Sequence, residues 1–227
     1  MATIELKNVK KTYKSTEIEV HAVQGVDTII GDGEFTAIVG PSGSGKTTLL
    51  NMIGGLDNVT DGNIIIDDVD ITDFKDSKMI DFRLKNIGFV FQAYNLIPVL
   101  TAIENVEFVM SLQGVKKGER KKRSMELLEA VGIGDKANRR PSYLSGGEQQ
   151  RVAVARALAS KPKFVLADEP TANLDSVATE NLLKIMRDLN QKEGTTFIFS
   201  THDSRVIKQA RRIITLEDGK VISDETK

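Results

Sequence analysis

The sequence predicts an α/β protein with a mostly parallel sheet, and three stretches carry that expectation. The first is a buried strand, Phe35-Thr36-Ala37-Ile38-Val39, that runs through a glycine-rich loop into a helix opening at Lys46. The second is the alternation that returns beyond about residue 161. There a strand at Phe164 to Ala167 is followed by a helix at Ser176 to Lys192, a strand at Thr196 to Ser200, a short helix from Ser204 and a strand at Ile213 to Leu216. Strands alternating with helices argue for parallel pairing. The third is a block of helical patterns between about 101 and 161, at Thr101 to Gln113, Glu119 to Val131 and Gly146 to Ser160, with no good strand candidate.

The remaining elements follow in chain order. Ile4, Leu6 and Val9 alternate well enough for a half-buried edge strand, and a second strand covers Val20 to Ile30 before the turn Gly31-Asp32-Gly33. Gly54-Gly55 ends the first helix. Gly62 to Asp68 reads as a strand and turn, so the first seventy residues mix short antiparallel strands with one strand-loop-helix unit. Lys85 to Gln92 gives a further buried strand, and Ser223 to Lys227 a frayed polar tail. The expected organisation is one domain, 1–227, in which 1–92 and 162–227 form the core with its antiparallel β part and 93–161 is an inserted helical subdomain.

With 227 residues the chain can bury a sizeable core, and its formal net charge of −1 gives no general attraction to nucleic acid. The absence of cysteine excludes disulfides, thiolate metal sites and cysteine nucleophiles. Met1 to Leu6 lacks the pattern of a signal peptide, and no apolar run approaches the ~20 residues that span a bilayer, so a cytoplasmic protein is expected.

The loop Gly40-Pro41-Ser42-Gly43-Ser44-Gly45-Lys46-Thr47-Thr48 matches G-x-x-x-x-G-K-[ST], whose amides converge on a nucleotide's phosphates. Lys46 then reaches the β and γ phosphates and Thr47 offers a hydroxyl to Mg²⁺, while the helix dipole points at the same charge. The strand from Phe164 ends in adjacent acids, Asp168 and Glu169, whose side chains alternate. Asp168 is read as the metal ligand and Glu169 as the general base facing water. In Leu144-Ser145-Gly146-Gly147-Glu148-Gln149-Gln150, Ser145 and Glu148 form a capping box. Two glycines in its first turn are poor helix formers, which points to a backbone that something approaches closely.

The string LSGGEQQR, lying between the phosphate loop and the Asp-Glu strand, resembles the signature of the nucleotide-binding subunits of ATP-binding cassette (ABC) transporters. The resemblance runs from Tyr13 to the strand at Ile213 and implies a P-loop NTPase with a mostly parallel central sheet, an antiparallel β subdomain and an inserted α-helical subdomain. It implies that Tyr13 stacks on adenine, that Gln92 touches Mg²⁺ or the water and hinges the helical subdomain, and that His202 contacts the γ-phosphate. Asp175, in Ala172-Asn173-Leu174-Asp175, resembles part of the loop across the dimer contact and also reads as a helix N-cap. His21 matches nothing in the family.

In the family two chains pack head to tail, so Ser145, Gly146, Gly147 and Glu148 face the partner's ATP. The expected partners are a second ATPase subunit in an ATP-dependent homodimer and an integral permease docking near Gln92 to Val106, with no nucleic acid; the expected location is the cytoplasmic face of the membrane. Leu96-Ile97-Pro98-Val99-Leu100 is an unusually apolar loop, either a staple onto the next helix or a groove for the permease. The run GFVFQAYNLIPVLTAIENV with ADEPTANLD looks most like the lipoprotein-release and macrolide-export branch, although Ala172 stands where glycine is common there. The alternatives are a soluble cassette protein acting on ribosomes or DNA and a cell-division ATPase. The basic run Glu119 to Arg123 reads as a solvated helix face, with Met125, Leu127, Leu128 and Val131 turned inward.

Overall fold

The structure, a computed structural model, describes residues 2–14 and 19–227. Met1 and 15–18 of the expected N-terminal β part lie outside the described residues. The chain divides into two compact units, Met1–Asp81 with Thr196–Lys227, and Phe82–Thr195.

In the first unit β1 (Ala2–Lys14) pairs antiparallel with β2 (Glu19–Gly31) on one side and with β4 (Asp61–Ile66) on the other, and β5 (Val69–Asp70) completes this sheet. Ile4 lies between Ile30 and Ile66 in register, and all three are fully buried. The period-2 pattern thus has one dry face, which fixes the register. A second set of strands surrounds β3 (Phe35–Val39), which is parallel to β8 (Thr196–Ser200) and β9 (Arg212–Glu217). Phe35, Phe197 and Phe199 cluster at centroid distances of 4.6 to 6.0 Å, with Phe197 and Phe199 stacked and Phe35 tilted against both. Helices α1 (Lys46–Ile53) and α7 (Ser204–Gln209) belong to this unit, and α2 (Asp76–Asn86) carries the chain out of it.

In the second unit β6 (Ile87–Val90) and β7 (Phe164–Asp168) pair in parallel, with Ile87 opposite Phe164 and Val90 opposite Ala167. The helices are α3 (Ala102–Leu112), α4 (Lys117–Ala130), α5 (Gly146–Ala159) and α6 (Ser176–Glu193). The buried stripe of α5, Val152, Ala153, Val154, Ala155, Ala157 and Leu158, is dominated by small residues, which allows neighbours on more than one side.

Five expectations are corrected. The strand at Ile4 to Val9 is not at an edge, since β1 lies between β2 and β4; alternation reports a buried face and not the number of neighbours. Ser223 to Lys227 is not a frayed tail: β10 (Lys220–Thr226) pairs antiparallel with β9. Its side chains are too polar to show a buried face, and polar bonds hold it instead. Arg212 donates to Asp224 through both Nε and Nη2 at 2.7 Å, and Ser223 Oγ lies 2.9 Å from Thr215 Oγ1. The strand expected at Lys85 to Gln92 is confined to Ile87–Val90, because α2 occupies the residues before it; only Met79 of that helix is buried, so it carries no apolar stripe to read. On α4 it is Ser124, not Met125, that joins Leu127 and Leu128 inside, since the stripe follows i, i+3 and i+4 from 124. The basic run is likewise not wholly solvated: Arg123 pairs with Glu193 at 2.7 Å and Arg120 donates to the Val115 carbonyl at 2.9 Å.

Arg212 is the polar hub of the first unit, since it also reaches the Ile29 carbonyl on β2, Thr28 Oγ1 and both oxygens of Glu34. Arg212→Ala is expected to lower the unfolding free energy by about 2 kcal/mol, read from the urea midpoint. The bonds from Arg212 hold Asp224 below the ordinary carboxylate range. A depressed folded value means that this stability is present above the unfolded pKa, near ~4, and is lost as pH falls through the folded one. The difference between Arg212→Ala and the parent should therefore narrow below about pH 4.

Candidate functional site

In the first unit, β3 is flanked by β8 and β9 running the same way, with Ile38 opposite Ser200 and Val39 opposite Thr215. The loop from Gly40 therefore leaves at the carboxyl edge of parallel strands, the edge where open α/β sheets take ligands. Gly45 lies at φ 98, and a Cβ there would fall on the Ala22 carbonyl; one at Gly40 would fall on the Leu216 carbonyl. Only glycine allows so close a turn. Gly45 is also the N-cap of α1, with no side-chain cap bond and no acid in the first turn. The first amides of a helix have no intrahelical acceptor, so this end favours an anion. Lys46 is buried and curls back, donating from Nζ to the carbonyls of Gly40 at 2.9 Å and Pro41 at 2.8 Å. Ser44 Oγ is buried with no hydrogen-bond partner, while Pro41, Ser42, Gly43 and Thr47 are exposed.

Tyr13 is 43% exposed. Its hydroxyl donates to Asp57 Oδ2 at 2.6 Å and has Thr48 of the loop as a further neighbour. Lys11 pairs with Asp57 Oδ1 at 2.6 Å, and its Nζ stands 4.9 Å from the Tyr13 ring centroid. Burial pushes the Tyr13 phenol up, and the Asp57 carboxylate adds to that. Burial also raises Asp57, but the bonds from Lys11 and Tyr13 outweigh it and hold the carboxyl below its usual range. His202 is exposed two residues past β8, where the Thr201 amide donates to the Ile38 carbonyl at 3.1 Å and continues the ladder beside β3. Tyr13, the loop Gly40 to Thr48 and His202 thus belong to the first unit, with the loop and His202 at one sheet edge.

The second unit holds the other candidates. Gln92 lies two residues past β6 and Glu169 two residues past Ala167, so Gln92, Asp168 and Glu169 share the carboxyl edge of this parallel pair. Glu169 has φ 44, a left-handed conformation that costs a non-glycine residue about 1–2 kcal/mol. Asn173 Nδ2 donates to the Gln92 carbonyl at 2.9 Å. Asp175 caps α6, accepting from the Ala178 amide at 2.8 Å. Ser145 caps α5, with the reciprocal bond from its amide to Glu148 at 2.8 Å. Lys136 forms an ion pair with Glu148 and, with the Ser145 amide, holds its carboxyl below the usual range. A Cβ on Gly147 would lie 3.5 Å from the Ala178 methyl, so the start of α5 sits beside the start of α6.

Between Gln92 and α3, the fully buried Asn105 fixes the apolar loop. Its Oδ1 accepts from the Ile97 amide at 2.8 Å, and its Nδ2 donates to the carbonyls of Ile97, Leu100 and Thr101 at 3.0 to 3.2 Å. Thr101 and Glu104 form the capping box of α3, and Val99 is 69% exposed.

Several structurally engaged residues carry no signal in the sequence: Asp57, Asn105, Lys136, and the pair Tyr94 and Arg156, in which Arg156 Nη2 on α5 donates to the Tyr94 carbonyl at 2.8 Å. Arg156 is the partial exception, because a cation inside the otherwise apolar run Val152 to Ala159 demands a partner. Among the described residues no three acids or histidines gather to hold a metal. Mg²⁺ bound largely through phosphate oxygens and water needs no such cluster, and the Thr47 hydroxyl and the Asp168 carboxylate are oxygen donors of the kind it accepts.

The family model described as "ABC transporter" matches residues 23–172. The ABC transporter ATP-binding protein MJ0796 of Methanocaldococcus jannaschii is 47% identical over 98% of this chain and 96% of that protein. A structure of MJ0796, described as dimeric and in a post-hydrolysis state bound to ADP and Pi, superposes with a TM-score of 0.91 over 98% of each chain at 45% identity. The lipoprotein-releasing system ATP-binding protein LolD of Anaeromyxobacter dehalogenans is 44% identical over 98% of this chain and 93% of its own length. The macrolide export ATP-binding/permease protein MacB of Syntrophobacter fumaroxidans is 44% identical over 97% of this chain, which spans 31% of that longer protein. The chain belongs to the ABC transporter family, as one of its ATP-binding cassettes.

Proposed function

We propose that the chain hydrolyses ATP as the nucleotide-binding subunit of an export or lipoprotein-release type transporter, two copies closing head to tail on nucleotide to drive a separate permease. The observation that carries this reading is the loop at Gly40 to Thr48. It ends in an uncapped helix, holds a buried lysine over its own carbonyls, and buries a serine hydroxyl that has no partner. A triphosphate supplies the acceptors that such a loop lacks.

In this reading Tyr13 stacks on adenine, held from behind by Asp57, and Gly40 to Thr48 bind the phosphates. Mg²⁺ supplies charge neutralisation at the phosphates, with Thr47, Gln92 and Asp168 as the residues that hold it. Glu169 takes a proton from the attacking water and His202 contacts the γ-phosphate. Ser145, Gly146, Gly147 and Glu148 face the partner's nucleotide, and Asp175 lies in the loop at the dimer contact. The domain division that fits these roles is a core of 1–92 and 162–227 with an inserted helical part, 93–161.

The docking surface for the permease is the loop Leu96 to Leu100, extending over Gln92 to Val106. Its exposed Val99 and Pro98 on a loop pinned by Asn105 support this assignment. Membrane association is then peripheral and on the cytoplasmic side. Among the described residues no helix is long and apolar enough to cross a membrane. The LolD and MacB likenesses support the branch.

Glu169→Gln is expected to retain ATP binding, to lose at least ~100-fold in turnover, and to elute as a dimer only when ATP is present. Normal turnover in that variant would overturn the role of Glu169. Tyr13→Ala should weaken ATP binding by about tenfold, and Tyr13→Phe by much less, since stacking and not the hydroxyl carries the affinity. Equal effects of the two, measured by calorimetric titration, would count against stacking. Val99→Asp should leave ATP-driven dimerisation intact and abolish recovery of a membrane partner from detergent extracts.

A further inference from the structure

The segment after Gln92 has a backbone that its residues do not favour alone. Tyr94 and Asn95 both lie in the left-handed region, at φ 56 and 49. Asparagine tolerates this conformation, but for a tyrosine it is strained, so the surroundings must enforce it.

The enforcing group is Arg156, on α5. Its Nη2 donates to the Tyr94 carbonyl at 2.8 Å and its Nη1 to the Asn95 carbonyl. A planar guanidinium suits two successive carbonyls turned the same way, a geometry that a single ammonium cannot match. The group is largely removed from water, which lowers its proton affinity, and both of its hydrogen bonds go to main-chain oxygens. A desolvated cation therefore spends its bonding on the shape of one loop.

That shape delivers the Tyr94 side chain to the other end of α5. The Tyr94 hydroxyl stands 2.8 Å from where a Cβ on Gly146 would lie, and the Asn173 carbonyl is 3.8 Å from the same point. The ring is half-buried, and burial pushes its phenol up. Helix α5 is thus gripped twice by one loop, by Tyr94 at its first residue and by that loop's carbonyls at Arg156. Asn173 joins the same group through the Gln92 carbonyl.

We propose that Arg156 and Tyr94 are positioning residues that make the segment after Gln92 and the start of α5 one rigid body, so that a displacement of that segment is delivered to Ser145 through Gly146. The proposal rests on the reading that those residues face the partner's nucleotide only for its functional consequence. The mechanical coupling stands on the contacts above.

The first test does not depend on nucleotide. Amide exchange is measured on the nucleotide-free chain and on Arg156→Lys, following the hydrogen-bonded amides of Tyr94 and Asn95 and those of Glu148 and Gln149. Exchange is expected to rise at least ~tenfold at both places, with α6 unchanged. A rise at Tyr94 and Asn95 alone, or at neither place, overturns the coupling. The second test is a double-mutant cycle in the Glu169→Gln chain, read as the ATP-dependent dimer dissociation constant. Gly146→Ala should weaken the dimer at least ~tenfold, because its methyl meets the tyrosine oxygen. Tyr94→Phe, which removes that oxygen, should recover at least ~threefold of the loss. Strictly additive effects overturn the Tyr94 contact. If the Glu169→Gln parent itself fails to dimerise with ATP, the nucleotide-switch reading falls, and the exchange experiment still decides the coupling.

Discussion

A triphosphate carries too much charge to leave water unless donors already in place replace its hydration, and that requirement organises the first unit of this chain. Side chains alone would crowd the anion. Backbone amides at a helix start supply donors without bulk, which demands glycines, a strand that ends on time, and neighbours whose carbonyls approach within reach. The parallel strands β3, β8 and β9 exist in this sense to bring Val39 to an edge, and the carbonyls of Ala22 and Leu216 press so closely on Gly45 and Gly40 that nothing larger fits. Lys46 folds over the loop's own carbonyls, bonding those of Gly40 and Pro41.

The two helix starts among the candidate residues, one in each unit, are built differently. The N-cap of α1 is a glycine with no side chain to offer. That of α5 is self-satisfied through Ser145 and Glu148, and Lys136 offsets the acid. A bare end leaves its amides to an anion bound by the same chain. A capped, charge-balanced end suits a contact made and broken, because it remains stable when nothing is bound.

Much of this was legible in the sequence, and the reasons are local. The strand-loop-helix unit, the buried run before Asp168, and the starts of α3, α5 and α6 all announce themselves within a few residues, through apolar runs and capping residues. What stayed hidden depends on partners far away in the chain. β10 is held by Arg212, twelve residues before Asp224, and by no apolar face of its own. Helix α2 buries one methionine. Ser124 looks polar by type and is fully buried by position. Tyr94 acquires meaning only through Arg156, 62 residues later, because the bond that matters runs from a side chain to a carbonyl and leaves no pattern of residue types.

Asn105 has a consequence best expressed as entropy. One buried amide meets four main-chain groups of the loop from Ile97 to Thr101, so this apolar segment has a single shape without belonging to a helix or a strand. A flexible loop of the same composition would lose about 1–2 kcal/mol per residue in becoming ordered against a partner. Here that loss is already incurred in folding, and association can draw on nearly all of the apolar area it covers. In the docking proposed above, this loop would act as rigid relief, and force applied to it would be passed on rather than absorbed.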